Sequence, residues 1–155
     1  MTDDQLMLEA IAQAQLAGAA GEVPIGCAIW HAPSGRVIGV GFNERELTED
    51  PTAHAEIVAI RKASAVLATW RLLDCTLAVT LEPCPMCAGA IVNARIPRLV
   101  YGCDDPKAGA VRTLFTLCED ARLNHRVEVT SGVRGEECAE LLRAFFRDRR
   151  AEGKK

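Results

Sequence analysis

A chain of 155 residues with 49% hydrophobic and 25% charged residues has the means for one folded domain, lacks room for two full ones, and is too apolar for a disordered polymer. No apolar run approaches the ~18 residues that span a bilayer, and the acidic start Met1-Thr2-Asp3-Asp4 lacks the basic opening of a secretory signal, so a soluble cytoplasmic protein is expected. The net charge of -3 weighs against nucleic-acid binding by the whole surface, but residues 1–60 hold nine acids against two bases, residues 61–155 hold twelve acids against sixteen, and six of those bases lie between Arg143 and Lys155.

In chain order, Thr2 and Gln5 form a capping box, and Leu6, Met7, Ala10, Ile11, Ala14 and Ala17 recur at helical spacing until Gly18 and Gly21 stop the helix. "IGCAIW" from Ile25 and "RVIGVG" from Arg36 read as two strands joined by the turn Ala-Pro-Ser-Gly. After a polar loop from Asn43 to Asp50, Asp50-Pro51 opens an Ala-rich helix to about Ala68, proline suiting a first helical turn. "CTLAVTL" from Cys75 is a strand that Pro83 ends, and a short Ala/Gly-rich helix follows from Cys84 to about Ala94. "RLVYGC" from Arg98 is the next strand, followed by a loop with Asp104, Asp105, Pro106 and Gly109. A helix near Val111–Ala121, a strand "RVEVTSGV" from Arg126 and a helix from about Glu136 to Arg150 complete the chain. Strands alternating with helices after an opening hairpin predict an α/β fold, a mixed five-stranded sheet with helices on both faces. The sequence shows no internal repeat, low-complexity tract or Gly-rich phosphate loop.

The chemistry concentrates in "EPCPMCAGA", Glu82–Ala90. In a reducing compartment, cysteines are metal ligands or buried thiols before they are disulfides. Cys84 and Cys87 sit at a strand-to-helix junction, where the helix N-terminus lowers thiol pKa; that favours metal binding and redox chemistry alike. "PTAHAEIVAI", Pro51–Ile60, separates the two. Two thiolates and the imidazole of His54 make three ligands and leave a fourth tetrahedral position for water, the mark of a catalytic zinc site. Glu56, two residues on, is then a candidate proton shuttle, whereas a redox protein needs neither residue. Alone, a helix-start histidine is commonly a cap, and a first-turn glutamate commonly faces the helix dipole. Those readings weaken when His-x-Glu and Pro-Cys-x-x-Cys occur together, about thirty residues apart and in that order. His31 and His125 lack such partners and read as structural or surface residues.

The composite pattern resembles that of the zinc deaminases. Nearly the whole chain resembles the bacterial tRNA-specific adenosine deaminases of the cytidine deaminase-like superfamily, through "EVPIG" at Glu22, "GFN" at Gly41, "DPTAHAEI" at Asp50, "RLLDCTLAVTLEPCPMCAGAI" at Arg71, "KAGA" at Lys107, "NHRVEV" at Asn124 and "FFRDRR" at Phe145. The resemblance implies one three-layer α-β-α deaminase domain over 1–155, with one Zn2+ per subunit on His54, Cys84 and Cys87 and with Glu56 as general acid/base. It also implies conversion of adenosine to inosine at the wobble position of a tRNA anticodon stem-loop, by a homodimer. Asn43 and the backbone at Ala55 would then hold the flipped base, and Asp105, Lys107, Phe146, Arg149 and Arg150 the flanking nucleotides. Of Phe145 and Phe146, adjacent on a helix and about 100° apart, one is expected to pack onto the sheet. Asp104 beside Asp105 adds negative charge that does not help hold a phosphate backbone. The nearest rival is a deaminase of free bases or nucleosides, of guanine or cytosine type, on the same zinc core. More distant rivals are a non-catalytic zinc module, which lacks a fourth ligand at motif spacing, and a thiol oxidoreductase.

Overall fold

The computed structural model describes residues 1–153; Lys154 and Lys155 of the basic end lie outside the described residues. The elements in order are α1 (Asp3–Ala19), β1 (Gly26–His31), β2 (Arg36–Phe42), α2 (Ala55–Leu67), β3 (Cys75–Leu81), α3 (Pro85–Asn93), β4 (Arg98–Cys103), a 3-10 turn at Leu117–Glu119, β5 (Glu128–Thr130) and α4 (Gly135–Ala151). The five strands form one sheet in the order β2-β1-β3-β4-β5. β1 is antiparallel to β2 and β3, whereas β3, β4 and β5 run parallel. This is the three-layer mixed sheet that the alternating pattern predicts.

The strand period of two sorts side chains between the layers. Cys27 and Ile29 of β1, Leu77 and Val79 of β3, and Leu99 and Tyr101 of β4 face the larger core, shared with Ala55, Ala59 and Ala63 of α2 and Ala88, Ile91 and Val92 of α3. The alternate residues Ala28, Ala78 and Val100 face Leu6, Met7, Ala10 and Ile11 of α1 and Cys138 of α4. Small residues on that second face let α1 lie close to β1. A Cβ on Gly26 would stand 2.0 Å from the Ala10 carbonyl oxygen, so only glycine fits there. Complete burial of a side chain such as Leu77 contributes about 1.5–3 kcal/mol.

The capping box at the start of α1 is formed: Gln5 N–H donates to Thr2 Oγ1 at 3.1 Å and Thr2 N–H to Gln5 Oε1 at 2.9 Å. Arg98 of β4 grips both carboxylate oxygens of Asp3 and donates to Thr130 Oγ1 at 3.1 Å, tying α1 to the parallel half of the sheet. His31 pairs with Ser34 Oγ at 2.9 Å and His125 Nε2 with the Ile96 carbonyl at 2.6 Å, the structural uses expected of both. Among the described residues, no helix is long and apolar enough to cross a membrane.

Three expectations need correction. The helix expected near Val111–Ala121 is absent: residues 106–116 form turns, and only Leu117–Glu119 is helical, as one 3-10 turn. The donors that would close the first turns are taken out of helical register: Leu114 and Phe115 N–H donate to the Gly109 carbonyl at 2.8 and 3.4 Å, and Leu117 N–H to the Ala110 carbonyl at 3.0 Å, none of them an i→i−4 bond. α2 starts at Ala55 rather than Pro51, because Asp50 Oδ1 accepts from Thr52 N–H at 2.8 Å and holds the chain in a turn. β5 spans only Glu128–Thr130, since the chain leaves the sheet edge for the turn into α4.

Candidate active site

Two helix starts meet at one end of the sheet. β3 ends at Leu81, and Glu82-Pro83 turns the chain into α3, where Cys84 is the N-cap, Pro85 takes the first helical position and Cys87 lies in the first turn. His54 is the N-cap of α2, with Ala55 and Glu56 in its first turn. Neither N-cap side chain bonds its own helix. They meet each other instead: His54 Nδ1 lies 3.6 Å from Cys84 Sγ and 3.5 Å from Cys87 Sγ, and the three donor atoms lie within 4.8 Å of one another. A tetrahedral zinc, with bonds of about 2.3 Å to sulfur and about 2.0–2.1 Å to nitrogen, sets sulfur and nitrogen about 3.6 Å apart. The donor set therefore fits that ion in both chemistry and spacing.

Of the three donors, only Cys84 is held in the deprotonated form that binds a cation. Hydrogen bonding from Cys87, and then from His54, holds the Cys84 thiol down to about 4 against burial. The same bond from Cys87 to Cys84, with burial behind it, pushes Cys87 up. The bond to Cys84 raises the His54 imidazole above its ordinary value; burial and the Arg45 guanidinium oppose that rise. Metal binding at such a cluster is coupled to release of the remaining thiol proton. Glu56 is only 4% exposed. Burial, reinforced by the Cys84 thiolate, lifts its carboxyl to about 7, against a backbone hydrogen bond and the His54 imidazole. A carboxyl poised there can both accept and donate a proton near neutral pH.

A cavity of about 190 Å³ opens onto these residues. Asn43, Ala55 and Asp105 line it together with His54, Glu56 and Cys84. The Asn43 side chain shapes the wall: its Oδ1 accepts from Arg45 N–H at 3.2 Å, and its Nδ2 donates to the Val23 carbonyl at 3.3 Å. Asp105 Oδ1 accepts from the N–H groups of Lys107 and Ala108 and closes the turn after β4. Lys107, Phe146 and Arg150 line a separate, larger and more open depression beside α4, with Arg143 and Arg147. Arg149 lies elsewhere: its guanidinium stands 5.2 Å from the centre of the Phe145 ring, and it donates to the Gly21 carbonyl at 3.4 Å. Phe145 is thus the half-buried member of the aromatic pair and Phe146 the exposed one. Asp104 accepts from the Tyr101 hydroxyl at 2.8 Å.

Three residues shape this cavity that the sequence reading assigned no role. Glu82, 2% exposed, accepts from the N–H groups of Asp105, Val111, Arg112 and Thr113 and from the Thr113 hydroxyl. A Cβ on Gly109 would stand 2.4 Å from that carboxyl group, which accounts for a glycine there. Burial pushes Glu82 up, but the Thr113 hydroxyl and the backbone donors outweigh it and hold the carboxyl below its ordinary value. Glu22, also 2% exposed, accepts from Glu46 and Leu47 N–H at 3.0–3.2 Å and braces the loop after β2. Arg45, on that loop, lines the cavity. The sequence signal for the two carboxylates was their place inside "EVPIG" and "EPCPMCAGA"; Arg45 gave none.

An imidazole and two thiols carried on two helix starts, with a buried carboxyl beside them at the end of a three-layer sheet, define a hydrolytic deaminase of the cytidine deaminase-like class. A family model for MafB19-like deaminases matches residues 1–150. The tRNA-specific adenosine deaminase of Bacillus subtilis is 48% identical over 155 residues, covering 99% of this chain and 95% of that protein. Its counterpart in Haemophilus influenzae is 47% identical over 152 residues, covering 98% and 87%. A structure solved in a study of A-to-I editing by tRNA:A34 deaminases superposes with a TM-score of 0.84 at 44% identity, covering 89% of this chain and 99% of that one. The chain belongs to the MafB19-like deaminases and, within them, to the tRNA-specific adenosine deaminases.

Proposed function

We propose that this protein hydrolyses adenosine to inosine at the wobble position of a tRNA anticodon stem-loop, with one zinc ion held by His54, Cys84 and Cys87 and with Glu56 as the proton carrier. The observation that carries the reading is the convergence of those three donors on a buried carboxyl group, in a chain 47–48% identical to tRNA-specific adenosine deaminases.

The chemistry that zinc supplies at such a site is a water acidified from about 15.7 toward about 7. Glu56 would take a proton from the attacking water and hand it to the adenine ring nitrogen, and would then pass a second proton to the departing amino group, so that adenosine and water are converted to inosine and ammonia. Asn43 and the backbone at Ala55 hold the flipped base in the cavity that they line. Asp105 shapes the wall opposite. Lys107, Phe146 and Arg150 form a basic, partly apolar surface for the flanking nucleotides, where a base can stack and phosphates can pair. Arg149 contributes to that surface through the α4 end that it pins to Gly21.

In this reading the protein is one deaminase domain over 1–155, works in the cytoplasm and acts as a homodimer. Exposed Leu114 and Phe115 offer apolar surface for the subunit contact. The deciding experiment incubates the zinc-loaded protein with an anticodon stem-loop carrying adenosine at the wobble position, beside free guanine, cytosine and adenosine. Inosine in the stem-loop alone supports the reading. Turnover of the free bases without the stem-loop overturns it.

A further inference from the structure

Resting on that reading of function, we infer that Arg45 is a specificity-determining residue, a guanidinium carried on a fixed stretch of backbone that grips a phosphodiester flanking the adenosine in the cavity. Arg45 lines the catalytic cavity. Apart from His54, it is the one basic side chain among the lining residues. Its side chain is exposed and pairs with no carboxylate among the described residues, although Glu44, Glu46, Glu49 and Asp50 surround it in sequence.

The backbone beneath Arg45 is fixed from several sides. Its N–H donates to Asn43 Oδ1 at 3.2 Å and its carbonyl accepts from Asp50 N–H at 3.0 Å. The next two N–H groups are held by the buried Glu22 carboxylate. Thr48 N–H closes the loop on the Glu44 carbonyl at 3.0 Å. Asn43 therefore does two jobs, facing the cavity and setting the direction in which Arg45 leaves the chain. A planar guanidinium fork on a fixed backbone beside a base-sized cavity suits a phosphate oxygen pair. The carboxylates that line the cavity beside Glu56 have duties already: Asp105 closes its own turn and the buried Glu82 is saturated with donors. The ligand that completes the site is thus a phosphate anion on the nucleotide whose base fills the cavity, which separates an adenosine within a strand from a free nucleoside.

The test measures KM, kcat and salt dependence for the parent, Arg45→Ala and Arg45→Lys on the wobble-adenosine stem-loop. Parallel substrates carry a neutral methylphosphonate on the 5′ or the 3′ side of that adenosine. Arg45→Ala is expected to raise KM about tenfold, the low end for a lost charge-assisted contact at a solvent-open rim, and to flatten the log–log salt slope by about 0.7. Arg45→Lys should restore the salt slope but only part of KM, because an ammonium lacks the fork. On one methylphosphonate substrate the parent and Arg45→Ala should become equal. An Arg45→Ala protein with the parent's KM and salt slope overturns the inference, as does one that loses kcat at constant KM or keeps its full deficit on both neutral substrates. If the parent itself makes no inosine in the stem-loop, the proposed function fails and this inference with it.

Discussion

Replacing Glu82 by glutamine should destabilise the fold more than a single buried isostere normally does. Its carboxylate is the common acceptor for four backbone N–H groups and the Thr113 hydroxyl. Glutamine keeps the volume but loses the charge, and turns an NH2 toward donors. A buried donor left without its partner costs about 1–3 kcal/mol. The Val111, Arg112 and Thr113 N–H groups share Oε2 and keep the amide oxygen through bonds weakened by the lost charge, whereas the NH2 in place of Oε1 leaves the part-buried Asp105 N–H without its acceptor; the Thr113 hydroxyl turns to accept from that NH2. A total of about 2–3 kcal/mol follows, and at about 2–4 °C per kcal/mol for a chain of this size Tm should fall by about 8 °C. The same substitution should change the acid limb of stability. The folded carboxyl lies below its ordinary 4.5. Its contribution is therefore complete above pH 4.5 and is lost as the pH falls through the depressed folded value. The parent should lose stability through that window faster than Glu82→Gln does. Thermal melts of both proteins at pH 7 and through the acid range supply the measurement. A variant melting within about 2 °C of the parent, with the same acid limb, would refute the argument that this carboxylate holds the 105–113 loop.

Cys84→Ala or Cys87→Ala should reduce bound zinc from about one per chain to near zero by elemental analysis; a fully active, metal-free parent contradicts the ligand assignment. Glu56→Gln should retain zinc and the parent's Tm while losing deamination by about 10⁴-fold, since two proton transfers depend on it; activity within a few fold of the parent removes Glu56 from the mechanism. The two arginines near the end of α4 should separate. Arg150→Ala weakens stem-loop binding and flattens its salt slope by about 0.7 without moving Tm, whereas Arg149→Ala lowers Tm through its lost packing on Phe145 and the Gly21 carbonyl. Equal effects of the two on both readouts count against that division.

The chain's periodic elements could be read in advance because local pattern and tertiary environment agree in them: the stripe from Leu6 to Ala17 is buried as its spacing implies, and β1, β3 and β4 alternate between two cores. The reading failed where a distant acceptor takes the backbone donors. Val111, Leu114, Leu117 and Cys118 have a helical look, but Glu82 gathers the N–H groups of Val111, Arg112 and Thr113, and the donors after them turn back to the Gly109 and Ala110 carbonyls rather than to i−4. Pro51 invites a helix start that the Asp50–Thr52 turn pre-empts. Spacing marked out His54, Glu56, Cys84 and Cys87, since each pair falls within one helical turn. The cavity walls carry no such period. The roles of Glu22, Arg45 and Glu82 exist only once loops from different parts of the chain have come together.

That anchoring by Glu22 and Glu82 has a consequence for how such an enzyme can diverge. The helix starts bearing His54, Glu56, Cys84 and Cys87 are seated on the sheet by their own small-residue faces. The two walls that meet a substrate hang from separate carboxylates, one per loop. Substitutions in 43–50 or 105–113 that spare the two anchors can reshape what enters the cavity while leaving the reacting groups where they are. Libraries aimed at a new nucleobase or a new strand context are best confined to those loops, with Glu22, Glu82 and Gly109 held constant. Randomising the anchors along with the walls trades a change of preference for a loss of folded protein.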